Sequence, residues 1–217
     1  MYFSLREVAF LANSEYDAQM DTGFDCETLL RVFSALGDVL QARGHRIEVV
    51  LVGGGDLLLQ GFVSRPTRDA DVLGERLPDG RVVPLRRLPA TLERAVADVA
   101  LAFGLASDWL NLGPESLLDL GLPPGFETRL ARLGFGALTV WLADRYDLIC
   151  FKLYAAADHW PTRDRHLGDL IALGATVDEL RSAATWTRTH DSSPAFRDQL
   201  GAVLGALGID LADVADL

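Results

Sequence analysis

Apolar residues recur at helical spacing in the first quarter of the chain. Leu29, Val32, Phe33, Leu36, Val39 and Leu40 form one stripe between Asp25 and Ala42, with Asp25 placed to cap the helix and Gly44 to end it. The period then changes. Ile47 to Val52 is an apolar run broken only by Glu48, which predicts a strand buried on both faces. Gly53, Gly54 and Gly55 follow, and the short apolar segment Asp56 to Gln60 predicts the start of a helix. Ala70 to Leu73 predicts the next strand. Pro78, Asp79 and Gly80 mark a turn before a short strand at Val82 and Val83. Leu88, Leu92, Ala95, Val96, Val99 and Phe103 then mark an amphipathic helix.

Further strands are expected at Leu105 to Leu110 and Ala137 to Leu142, with a loop containing one helical turn over Pro114 to Gly125. Asp144 to Asp158 is helical in pattern until Pro161, which removes a backbone donor and restricts the residue before it. A helix restarts at Arg165 to Leu173, and Thr176 to Leu217 predicts two or three more, joined at Ser192 to Pro194 and at Gly208. Strands early and helices late imply an α/β (α+β) fold. A mixed sheet flanked by helices would occupy residues 1–143, and a helical C-terminal part, residues 144–217, would pack on it.

Composition narrows the function. Of 217 residues, 49% are apolar, enough for a full core and against disorder. A net charge of −11 argues against a broad DNA-binding surface. Between Arg65 and Arg87, however, six arginines stand against four acids, so this stretch is about +2 and suits a local anion site. Cys26 and Cys150 are far apart, with no metal spacing and no disulfide framework, which fits a reducing compartment. Met1 to Asp17 lacks the basic start and apolar core of a secretory signal, and no apolar run is long enough to span a bilayer. A cytoplasmic protein without membrane partners is the expectation. Lys152 is the one lysine among twenty basic residues, and lysine is not interchangeable with arginine at a phosphate.

Three glycines after a strand suggest close backbone approach, yet two phosphate-loop patterns fail. A dinucleotide fingerprint would need glycine where Leu58 stands, and a P-loop would need a glycine–lysine pair. Asp69 and Asp71 add chemistry. Strand alternation puts both on one face, and two carboxylates so close repel unless a cation lies between them. Hard oxygen ligands favour magnesium or manganese.

The segment VGGGDLLLQGFVSRPTRDADVL resembles the nucleotide-binding core of the nucleotidyltransferase superfamily related to DNA polymerase beta. It is most similar to the minimal nucleotidyltransferase-like proteins that include toxins of abortive-infection and toxin–antitoxin systems. The matching residues are Gly53 and Gly54, the R-x-T-x-D-x-D segment Arg65 to Asp71, Lys152 in FKLYAAAD, and His166 to Leu170. The resemblance implies transfer of a nucleoside monophosphate from a nucleoside triphosphate to RNA, such as a transfer RNA end, or to a protein hydroxyl. A toxin of this type would have an antitoxin partner. Asp69 and Asp71 would hold Mg2+ or Mn2+, and Gly53, Gly54, Arg65 and Thr67 would line the triphosphate. Lys152 would neutralise phosphate charge, with Asp169 orienting it or the acceptor. Most members use a third carboxylate on a neighbouring strand. Asp108 is the candidate here, with Asn111 as a neighbouring possibility that lacks the charge.

Asp56, inside the glycine turn, departs from the family pattern and would repel a triphosphate. His166 and Asp169 share a helix face and have a structural alternative, pairing with each other or with Arg165. His159 and His166 are not expected to form a metal pair, because Pro161 lies between them. A catalytically degenerate fold that binds nucleotide or protein is the alternative function, and a third carboxylate beside Asp69 and Asp71 separates the two. A purely structural protein would leave Asp69 and Asp71 facing no site.

Overall fold

A computed structural model describes residues 23–162 and 165–209. The N-terminal stretch inspected for a secretory signal, and any helix after Gly208 beyond residue 209, lie outside the described residues. Helix α1, Cys26–Ala42, is capped by the Asp25 side chain, which accepts from Thr28 N at 2.8 Å. Strand β1, Ile47–Val52, runs directly into helix α2, Gly53–Leu59, which begins at the first glycine. Next come β2 (Ala70–Arg76), β3 (Val82–Val83) and helix α3 (Ala90–Phe103). The segment expected as a strand from Leu105 to Leu110 is mostly a turn, and only β4, Leu110–Asn111, pairs. Short helices α4 (Ser116–Leu120) and α5 (Phe126–Arg129) lead to β5 (Ala131–Phe135) and β6 (Leu138–Leu142). Four helices end the described chain: α6 (Arg145–Asp158), α7 (Arg165–Ala172), α8 (Val177–His190) and α9 (Pro194–Ala206).

The fold is mixed α/β, with one six-stranded sheet in the order β3-β2-β1-β6-β5. β1 lies between antiparallel β2 and parallel β6, which is why its four C-terminal residues are all buried. β4 adds parallel to the start of β2, pairing Ala70 with Leu110 and Asp71 with Asn111. The sheet separates two apolar cores. On one face Leu29, Val32, Phe33 and Leu36 of α1 and Leu92, Val96 and Val99 of α3 meet Val49, Leu51, Val72 and Val140. On the other, Val50, Val52 and Leu73 meet Leu148, Ile149 and Leu153 of α6, with α7, α8 and α9 packed around that helix. The C-terminal helices therefore complete the second layer of the same fold. No helix among the described residues is long and apolar enough to cross a membrane.

β2 carries one surplus residue. Val50 pairs with Gly74 but Leu51 pairs with Val72, so Leu73 is a β-bulge. Before the bulge Asp71 faces the α6 side, and Leu73 packs into the core there. After it Arg76 lies on the same side, stacked 3.9 Å from the ring centroid of Trp141.

Candidate functional site

Three pieces of chain meet at the C-terminal end of β1. The first is the glycine turn. Gly53 has φ +78°, a left-handed conformation that favours glycine, and a side chain there would collide with the Asp71 carboxylate. A Cβ on Gly54 would stand 2.8 Å from Thr67 Oγ1. Gly53 is thus favoured both by its φ and by the acid over it, and a side chain at Gly54 would have to displace the Thr67 hydroxyl.

The second piece is the loop into β2. Thr67 is buried and joined to Phe24 by backbone hydrogen bonds in both directions. Its hydroxyl donates to the Asp69 carbonyl at 3.2 Å, which fixes the turn just before the acids. Asp69 precedes β2 and Asp71 is its second residue. Burial, and then the negative charge of Asp69, push the Asp71 carboxyl above the usual carboxylate range. A hydrogen bond from Asn111 and the charges of Lys152 and Arg165 act in the opposite direction.

The third piece is β4. It sets Asn111 directly beside Asp71, and the Asn111 amide oxygen accepts from Gly113 N at 2.8 Å. Asp108 is elsewhere: it lies exposed on the turn before β4, off the strand on which it was expected. The cause is Trp109, which is buried and donates from Nε1 to the Val96 carbonyl at 3.2 Å. That anchor pins the turn to α3 and delays pairing until Leu110.

Behind the acids lies a buried charge cluster. Lys152 of α6 is 5% exposed and Asp169 of α7 is 1% exposed, and Lys152 Nζ stands 2.8 Å from Asp169 Oδ2. Arg65 Nη2 donates to the other Asp169 oxygen at 2.5 Å. Asp169 thus binds the loop before β2 to two C-terminal helices. The rings of His159 and His166 do approach, to 5.2 Å between centroids, despite Pro161. No group of three His, Cys, Asp or Glu side chains suited to a metal ion occurs among the described residues.

Asp56 is turned away from the glycine turn's outer side. It is fully buried, accepts from Gln60 Nε2 at 2.6 Å and from Ala143 N at 2.9 Å, and ties α2 to the junction before α6. Burial raises its carboxyl to about 7, against those hydrogen bonds and the Lys152 charge.

The structure therefore gathers Gly53, Gly54, Thr67, Asp69 and Asp71 at one place and links Arg65, Lys152 and Asp169 beside them. Asp108 is left out. Two residues gain importance: Asn111, and Arg165, whose charge reaches Asp71. Arg165 lies one helical turn before Asp169, a spacing that places both on one face and was legible in the sequence. A family model described as "Nucleotidyltransferase of unknown function (DUF6036)" matches residues 27–172. No curated protein and no solved structure matches the chain.

Proposed function

The chain belongs to this nucleotidyltransferase family, and on that premise we propose that it transfers a nucleoside monophosphate from a nucleoside triphosphate to a hydroxyl of RNA or protein. In the transfer, a bond forms between the acceptor oxygen and the α-phosphorus. The bond from that phosphorus to the bridging oxygen breaks, pyrophosphate leaves, and the hydroxyl proton passes to solvent. The observation that carries the reading is the Asp69–Asp71 pair, with Asp71 seated over a position that must be glycine.

The donor set fits a divalent cation. Two half-buried carboxylates offer hard oxygen atoms, and the raised Asp71 carboxyl marks a place short of positive charge. Asp69 and Asp71 would hold Mg2+ or Mn2+, which when bound neutralises phosphate charge and polarises the phosphoryl group. Lys152, held by Asp169, keeps a fixed positive charge within reach of Asp71. Asp169 is a positioning residue, since both its oxygens are engaged by Arg65 and Lys152. Gly53 and Gly54 add no side chain of their own, so the Asp71 carboxylate and the Thr67 hydroxyl close onto the turn whose backbone would face a triphosphate. The resemblance to toxin–antitoxin proteins extends the reading to a toxin whose acceptor is inactivated by the added nucleotide and which an antitoxin restrains.

One observation favours a second reading, nucleotide binding without turnover: the position beside Asp71 is held by Asn111, and an amide supplies neither charge nor a base. The test is incubation of the protein with each labelled nucleoside triphosphate, total RNA and Mg2+. Label on RNA or protein that disappears in Asp69→Asn/Asp71→Asn supports transfer. Mg2+-dependent thermal stabilisation by a triphosphate without label supports the binding module. Neither effect would sink both.

A further inference from the structure

We propose that the acid pair holds one divalent cation, not two, and that Asn111 is the residue that denies the second a ligand. The inference rests on the metal-binding role given to Asp69 and Asp71 above. It follows from where the carboxylates around the pair are committed among the described residues; Glu115, in the turn after β4, stands 4.0 Å from Arg86. Asp56 is fully buried and taken by Gln60 and Ala143 N. Asp169 is divided between Arg65 at 2.5 Å and Lys152 at 2.8 Å. Asp108 is exposed on the turn before β4. The residue that the strand pairing does bring beside Asp71 is Asn111.

The amide is committed as well. Its oxygen accepts from Gly113 N at 2.8 Å, and its side chain, set beside Asp71 by the β2–β4 pairing, holds the Asp71 carboxyl down. Gly113 suits this arrangement, because a Cβ there would stand 3.0 Å from the Asn111 oxygen and 3.9 Å from Asp71 Oδ1. The position that would carry a third negative ligand is therefore occupied by a hydrogen-bond donor. Two dications close together need several carboxylates to offset their repulsion, and two acids offset only one.

The experiment is a Mn2+ titration of the full chain without nucleotide, with free Mn2+ followed by electron paramagnetic resonance. Wild type should bind one equivalent, Asp69→Asn/Asp71→Asn none, and Asn111→Ala still one. Asn111→Asp should bind a second equivalent when the titration is carried well past saturation of the first. Two equivalents in wild type, both lost in the double variant, would overturn the inference and leave the metal site standing. A folded Asn111→Asp that stays at one equivalent would also overturn the role of Asn111. No Mn2+ bound by wild type would instead defeat the metal assignment on which the inference rests.

Discussion

The carboxylate of Asp71 fills the space that any side chain at position 53 would need. Gly53 is thus fixed twice, by its positive φ and by the acid above it. Gly61 provides a comparison, with φ +76° and open space where a Cβ would stand.

Gly53→Ala should therefore cost more than Gly61→Ala. A non-glycine residue in the left-handed region costs about 1–3 kcal/mol, and at position 53 displacement of Asp71 adds to that. Urea midpoints of the two variants make the comparison. Equal losses would mean that the contact with Asp71 is not felt.

Removing Asp169 should hurt more than removing Lys152. Asp169→Ala leaves Lys152 buried beside Arg65 with no carboxylate between them, and breaking a buried pair in this way costs about 3–5 kcal/mol. Lys152→Met leaves the Arg65–Asp169 bond in place. Adding Lys152→Met to Asp169→Ala should recover part of the loss. Denaturant unfolding of the three variants decides it, and a smaller cost for Asp169→Ala than for Lys152→Met would contradict the arrangement.

Asp56 predicts a pH dependence with a definite sign. Its carboxyl is raised from 3.8 to about 7 in the folded protein. The stabilisation from this group is complete below the unfolded value and is lost as pH rises through the folded one. Between these values the unfolded chain has released the proton and the folded chain retains it, a slope of up to about 1.4 kcal/mol per pH unit. Wild type should lose stability relative to Asp56→Asn as pH is raised from the acid end of that window to neutrality. Parallel stability curves for the two proteins would show that Asp56 titrates normally.

Arg165 and Asn111 both hold the Asp71 carboxyl down. Arg165→Ala and Asn111→Ala should each raise its titration midpoint, observed in the carboxyl carbon resonances of labelled aspartate. An unchanged midpoint in Arg165→Ala would remove that side chain from the site.

Much of the architecture was legible because burial imposes a period. α1, β1, α3, β6 and α6 lie where the apolar pattern predicts, within one or two residues at their ends. β5 was missed: only Leu133 and Phe135 of its five residues are partly buried, and Arg132 and Gly134 face outward at the edge of the sheet. The run Leu105 to Leu110 misled for the opposite reason. Its apolar content anchors a turn through Trp109, and the pattern of one segment carries no sign of a hydrogen bond to Val96. That slip transferred the position beside Asp71 from Asn111 to Asp108. The isolation of Asp56 from the glycine turn was equally hidden, because its partners, Gln60 and Ala143, include one 87 residues away in the chain, at the end of the neighbouring strand β6.

The bulge at Leu73 gives β2 a dependence on length as well as on residue identity. Asp71 and Arg76 are five positions apart, yet both face α6, which strict alternation forbids. Deleting one residue at the bulge would leave the strand a choice of two faults. Either the acids stay in place and Arg76 swings to the opposite side from Trp141, or Arg76 stays and the acids turn into the apolar core beneath α1. In this strand the frame of counting is itself part of the site.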